Sequence, residues 1–212
     1  MWLLGNSCSV CHEPANGICG ACVQKLERPT VPPLVGIDEA TVLCSYEGVG
    51  ADLVRSIKYH NKRQGLTALV STLTASLTGE VDAIVAVPSQ PTRLRERGYH
   101  VPDLMAARLS RRLKVPVMEP LVRVDDGSQS HRDRKQRQAV EFRSVGAVPE
   151  RVLLVDDVVT TGATAVACGL ALGIAGAHHI ELVCLAATPP APVNEQRRKV
   201  SLRLSDTKSS KL

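Results

Sequence analysis

The sequence predicts an α/β protein: a parallel sheet flanked by helices, preceded by a small four-cysteine module. Three observations carry this. Short apolar runs alternate with longer segments of helical period, the signature of strand–helix–strand crossovers. Aromatic residues make up only 2% of the 212 residues, so the core must be built from Val, Leu, Ile and Ala, which suits strands buried on both faces. Cys8, Cys11, Cys19 and Cys22 fall within one short polar stretch that cannot bury a core of its own.

Each element follows in order. Residues 1–28 form the cysteine module, with Pro14, Asn16, Gly17 and Gly20 as turn residues around the thiols. Residues 29–39 contain Pro29, Pro32 and Pro33, which favour extended backbone, and read as a linker or an arm laid along the main domain. The main domain is expected over 40–188. It opens with a strand at 41–46. Leu53, Val54, Ile57 and Lys58 recur with helical spacing in 50–59, and 66–77 reads as a second helix. Residues 81–87 are a buried strand closed by Pro88. Over 103–113 a helix is expected with Leu104, Ala107 and Leu109 inward and Arg108, Arg111 and Arg112 outward. Residues 125–138 are charged without period and read as a mobile loop. A strand at 151–155, an Ala/Leu helix at 164–175 ending at Gly176, and a strand at 179–186 complete the domain. The Pro-rich, then polar 189–212 reads as a flexible tail.

The formal net charge is +5. Residues 89–137 hold twelve basic and six acidic side chains, so the rest of the chain is close to neutral. A basic middle suits a phosphorylated ligand or a nucleic acid. The scarcity of aromatics argues against an RNA-binding platform, which stacks bases on exposed rings. The start of the chain lacks a secretory pattern, and no apolar run approaches the ~18 residues that cross a bilayer. No membrane insertion and a cytoplasmic location are therefore expected.

The strongest motif is 152–164. Four apolar residues lead into Asp156 and Asp157, then Val158, Val159, Thr160, Thr161, Gly162, Ala163 and Thr164, before a helix. The strand delivers two acids to the carboxyl edge of the sheet, where α/β proteins bind ligands. Hydroxyl residues and a glycine let the backbone curl, so that successive N–H groups surround a phosphate at the helix N-terminus. The acids repel phosphate but accept hydroxyl donors, which suits a diol. Phosphate beside a vicinal diol describes a ribose 5-phosphate. The alternative, a strand end with a capping threonine, leaves the paired acids without purpose. The motif lacks the lysine of a Walker loop and the glycines of a dinucleotide fingerprint.

This motif resembles the signature of the type I phosphoribosyltransferases. The resemblance implies that Asp156 and Asp157 hold the ribose hydroxyls and that 158–164 hold the 5-phosphate. Arg93, Arg95 and Arg97 follow the strand at 81–87, with Gly98 allowing a sharp turn. Guanidinium forks match phosphate oxygens, and these arginines, with Lys58, would hold a pyrophosphate group while Mg²⁺ neutralises the rest. A basic surface loop is the competing reading. Gln129 and Arg137 bound a stretch that is either a lid or a solvated loop.

Two C-x2-C turns seven residues apart can give Zn²⁺ four thiolates, leaving no open position, so the metal would be structural. Disulfides are opposed by the expected cytoplasmic setting. Cys44, Cys168 and Cys184 lie in apolar runs and read as core.

The ordered set of cysteine module, Lys58, the 87–98 loop, the 129–137 loop and the 156–164 motif resembles the ComF family, the competence protein F group. The resemblance covers nearly all of 8–187. It implies binding of 5-phosphoribosyl pyrophosphate with Mg²⁺, and phosphoribosyl transfer to a nucleobase-like nucleophile. It also implies a link to DNA uptake, with single-stranded DNA or competence-machinery proteins as partners. The rival is a non-catalytic nucleotide-sensing or DNA- or protein-binding module. Four residues depart from the family pattern: Tyr99-His100-Val101 stand where it has Phe-Asn-Gln, and Val140 stands where it has Asn.

Overall fold

The structure is a computed structural model that describes residues 7–60, 63–77, 79–89, 94–95, 98–124 and 141–190. Its centre is a five-stranded parallel sheet in the order β1 (Glu39–Ser45), β7 (His179–Ala187), β6 (Arg151–Val159), β2 (Ala83–Ala86), β3 (Val117–Met118). A separate antiparallel hairpin pairs β4 (Leu121–Val124) with β5 (Glu141–Ser144). The helices are α1 (Gly20–Val23), α2 (Gly48–Tyr59), α3 (Leu66–Thr74), α4 (Val101–Leu113) and α5 (Ala163–Ile174). No described helix is long and apolar enough to cross a membrane.

Period-two alternation along β6 divides the core. Leu153 and Val155 face a cluster built from α2, α3 and α4, including Leu53, Ile57, Leu66, Met105 and Leu109. Val152 and Leu154 face a second cluster with Cys168 and Leu172 of α5 and Phe142 of the hairpin. β6 is thus covered on both sides, as an apolar parallel strand requires. The small residues of α5 let it lie close: Gly169 has Gly36 backbone against it, at 2.4 Å from where a Cβ would stand.

The sheet order fixes where a ligand can sit. From β6 the chain crosses through α5 to β7 on one side. From β2 it crosses through α4 to β3 on the other. The two crossovers part between β6 and β2, and the crevice outside their carboxyl ends is the switch point of the sheet. Arg151 holds this strand pair at its opposite edge. Its guanidinium donates to both oxygens of Asp82 at 3.1 and 2.7 Å and to Glu80 at 2.7 Å, and holds the Asp82 carboxyl below its usual range.

Several sequence expectations are corrected. The strand expected over 151–155 runs on to Val159, because β7 pairs with it up to Val159↔Ala187. The helix expected from Asp103 starts at Val101 with Pro102 in its first turn, and its phase differs: Ala106 and Met105 are inward while Ala107 is exposed. Arg108 is not simply outward. It donates to Leu104 O at 2.8 Å and to Thr67 Oγ1 at 3.2 Å. The hairpin flanking 125–140 was not expected at all, since four-residue strands give too short a pattern.

Residues 29–38 lie along α5. Val31, Leu34 and Ile37 pack into the second cluster, and Asp38 exchanges hydrogen bonds with Ile180 at 2.9 and 2.7 Å. The cysteine module docks by backbone contact. Gly17, at φ +93°, faces Gly65, and a Cβ on Gly17 would stand 2.3 Å from the Gly65 Cα. Val10, Ile18 and Leu26 pack against the first core cluster. Gly17→Ala is therefore expected to destabilise by about 2 kcal/mol or more, through a clash with backbone and a disfavoured φ. Gly20→Ala, with open space around it, is expected to be neutral or slightly stabilising. Thermal unfolding of the two variants beside the wild type measures both.

Candidate functional site

Asp156 and Asp157 occupy the last half of β6, beside the crevice at the switch point. Alternation sends them different ways. Asp157 meets α2: its Oδ1 accepts from Lys58 Nζ at 2.8 Å, with both side chains largely shielded. Asp156 is buried, and its Oδ1 accepts the Asp157 amide at 2.7 Å. Desolvation and the neighbouring Asp157 charge push the Asp156 carboxyl up to about 7, against partial relief from that amide, Lys58 and His100. Its charge is felt by Cys168 on α5 and by Cys184 beside it in β7, whose thiols burial already raises.

The turn after β6 is Thr160–Thr161–Gly162. Val158 and Val159, expected in the phosphate loop, belong to the strand. Gly162 stands at φ +78° as the N-cap of α5, and a Cβ there would meet Leu34 Cδ2 at 2.5 Å. Only glycine satisfies both the left-handed backbone and the pressing arm. The turn and the first residues of α5 line a small concavity with Thr160, Thr161, Ala163 and Thr164 around it and Asp156 at its base. N–H groups at a helix start have no intrahelical acceptor, so this concavity suits an anion. A larger groove of about 450 Å³ lies at the opposite edge of the sheet. Its walls are mainly glycine and aliphatic side chains, with Asp38 and His178 the polar members, and it offers no comparable chemistry.

Of the other expected residues, Arg95 is exposed and Gly98 takes φ +71° on the loop that follows β2. Arg93, Arg97, Gln129 and Arg137 lie outside the described residues, as do Val140 and 191–212. Lys58, expected on a pyrophosphate group, pairs with Asp157 across the α2–β6 contact. One group that sequence reasoning passed over stands beside it. Tyr99 donates its hydroxyl to the carbonyls of Ile57 and Lys58, at 3.2 Å for the latter, and Arg63 lies 4.8 Å above its ring. His100 Nδ1 is 2.9 Å from Asp103 Oδ1. Nothing local in the sequence links position 99 to α2.

The four expected cysteines do come together. The Sγ atoms of Cys8, Cys11, Cys19 and Cys22 all lie within 4.8 Å of one another. A tetrahedral Zn²⁺ with ~2.3 Å bonds needs sulfurs roughly 3.8 Å apart, so the donor set fits. Cys8 Sγ accepts the amides of Cys19 at 3.3 Å and Val10 at 3.5 Å, the outer bonds that steady a ligating thiolate. Those backbone donors bring the Cys8 thiol down to about 6 against its burial, while burial and its thiol neighbours push Cys22 up to about 12.

Among known proteins, no described family profile matches the chain. The chain is similar to competence protein F of Haemophilus influenzae, at 36% identity over 92 residues, covering 39% of this chain and 40% of that protein. Solved structures to which the chain is similar include a purine phosphoribosyltransferase from Pyrococcus horikoshii, at 20% identity and TM-score 0.39, covering 73% of this chain and 84% of that one. Another is the adenine phosphoribosyltransferase of Leishmania tarentolae, at 16% identity and TM-score 0.42, covering 63% and 74%. The glutamine phosphoribosylpyrophosphate amidotransferase of B. subtilis is matched over 26% of its length, at 18% identity, TM-score 0.41 and 58% of this chain.

Burial of Asp156 has a measurable cost. The unfolded chain loses this proton near 3.8, whereas the folded chain keeps it to about 7. Stability therefore falls as pH rises from 4 to 7, and the loss is complete above 7. Asp156→Asn is expected to stabilise the protein at pH 8 by about 2 kcal/mol, with the difference vanishing near pH 4; denaturant midpoints across that range test it. For the cysteine cluster, chelation or Cys19→Ser is expected to release bound zinc, read by metal analysis, and to lower the unfolding temperature.

Proposed function

We propose that the chain binds a 5-phosphoribosyl pyrophosphate-type ligand together with Mg²⁺. One observation carries the reading: two adjacent carboxylates stand beside the switch-point crevice, followed at once by a threonine–glycine turn that opens a helix. Asp156 and Asp157 would accept the ribose hydroxyls. Thr160, Thr161, Gly162, Ala163 and Thr164 would hold the 5-phosphate, with Val158 and Val159 leading into the turn. Lys58, Arg93, Arg95 and Arg97 would hold the pyrophosphate, with Gly98 shaping their loop. Gln129 and Arg137 would belong to a lid.

Mg²⁺ takes hard oxygen ligands, and a diphosphate beside carboxylates supplies them; when bound it neutralises charge on the leaving group. In the proposed reaction the C1′–O bond to pyrophosphate breaks, and a C1′–N bond to a nucleobase-like acceptor forms. The acceptor's surplus proton passes to solvent. The chain's own contribution is positioning and electrostatics: anchoring the 5-phosphate at one end and meeting the developing anion at the other. A division into zinc module, arm, phosphoribosyltransferase-type domain and tail accompanies this reading. The similarity to a competence protein supports a role in DNA uptake, with single-stranded DNA or competence-machinery proteins as candidate partners.

A second reading is favoured by one observation. Lys58 neutralises Asp157, and Asp156 is buried, so neither acid stands free to take a proton from an acceptor. A nucleotide sensor without turnover needs no such base. Calorimetric titration of 5-phosphoribosyl pyrophosphate with Mg²⁺ tests the site. Wild type is expected to bind, and Asp156→Asn/Asp157→Asn to lose at least about 100-fold in affinity, the scale of two charge-assisted hydrogen bonds. Absence of binding to folded, zinc-loaded wild type would sink the reading. Pyrophosphate release on adding a nucleobase separates enzyme from sensor.

A further inference from the structure

The last turn of a helix leaves carbonyls without acceptor partners inside the helix. In α2 the His60 amide closes on Ser56 O at 3.0 Å, and the carbonyls of Ile57 and Lys58 follow it in the last turn. The Tyr99 hydroxyl reaches both. It has one proton, shared between two acceptors one residue apart. Arg63 lies over the same ring, so a cation also stands near this helix end, where the partial charge is negative. Tyr99 therefore caps α2 from outside, from the loop that follows β2. The turn it caps is the one that carries Lys58.

That placement matters because Lys58 crosses from α2 to Asp157 of β6. A lysine holds four rotatable bonds, and its head stays on one carboxylate only if its backbone stays in place. We propose that Tyr99 is a positioning residue of the candidate site: its hydroxyl, by capping α2 at Ile57 and Lys58, sets the lysine on Asp157. A phenylalanine ring has no hydroxyl and cannot make these bonds. The consequence for binding rests on the ribose-phosphate reading above. The positioning itself does not.

The test separates the two. The Lys58 side-chain signal is followed by ¹H–¹³C NMR of lysine-labelled protein, assigned with Lys58→Arg, with Asp157→Asn as the reference for a lysine freed from its partner. Tyr99→Phe is expected to move the Lys58 resonance most of the way towards its position in Asp157→Asn, and to speed amide exchange at residues 58–60. Leu104→Ala, which loosens the same core face, is expected to lower the unfolding temperature and leave the resonance where it is. If Tyr99→Phe leaves Lys58 at its wild-type position, or Leu104→Ala moves it as far, the proposal is overturned. Where wild type binds 5-phosphoribosyl pyrophosphate with Mg²⁺, Tyr99→Phe is further expected to weaken it about 5- to 10-fold, the scale of one hydrogen bond. Unchanged affinity overturns the link to the ligand. A wild type that binds nothing defeats the ribose-phosphate reading while the lysine signal still decides the positioning.

Discussion

β6 is the strand on which everything else is hung. It is covered by α2–α4 on one face and by α5, the arm and the hairpin on the other. Such a strand must be apolar along its length, and Val152 to Val155 comply. Asp156 and Asp157 break that rule at a position where β2 has already ended, pairing only up to Ala86↔Val155. The polar groups therefore begin where the sheet narrows and the crevice opens. Arg151, at the other end of the same strand, fixes its alignment with the β2 entry through Asp82. The two ends of β6 divide the labour between alignment and chemistry.

The adjacent acids show how one strand yields two environments. Side chains one residue apart point to opposite faces. Asp157 finds a cation on α2 and pairs with it. Asp156 is buried with its neighbour's amide as donor, and burial outweighs the relief from that amide, Lys58 and His100, so its proton is held to near neutrality. A protein selected for stability alone would place an amide or an apolar side chain there. Retaining the acid costs stability above neutral pH, so the position is informative about function in a way that surface acids are not.

Much of this was legible in the sequence. Strands over 81–87 and 179–186 are apolar runs with polar residues only near their starts, at Asp82 and at His179 and Glu181, and the C-x2-C spacing is local chemistry that needs no fold to be recognised. The motif at 156–164 carried its own context of strand, turn and helix. What escaped was set by tertiary contacts. The extension of β6 through Val159 depends on pairing with β7, which no window centred on 151–155 contains. The inward side of α4 was misjudged at Ala107 because alanine is neutral to burial, and the true face is fixed by Val101, Met105 and Leu109. Tyr99 touching α2 joins residues about forty positions apart.

The glycines tie these pieces together. Gly162 is needed for its φ, but Leu34 also fills the space a side chain would take. The arm thus presses on the N-cap of α5 from behind while the concavity lies in front. Gly17 and Gly65 do the same for the cysteine module, backbone against backbone, directly before the start of α3 and next to Arg63. Neither the arm nor the module supplies the paired acids. Both instead brace the ends of helices that border the crevice, one behind α5 and one beside the α2–α3 junction. Removing order from the module should therefore be felt at Arg63, Tyr99 and Lys58 before it is felt at Asp156, because the first three share that junction and the last is buried in the sheet.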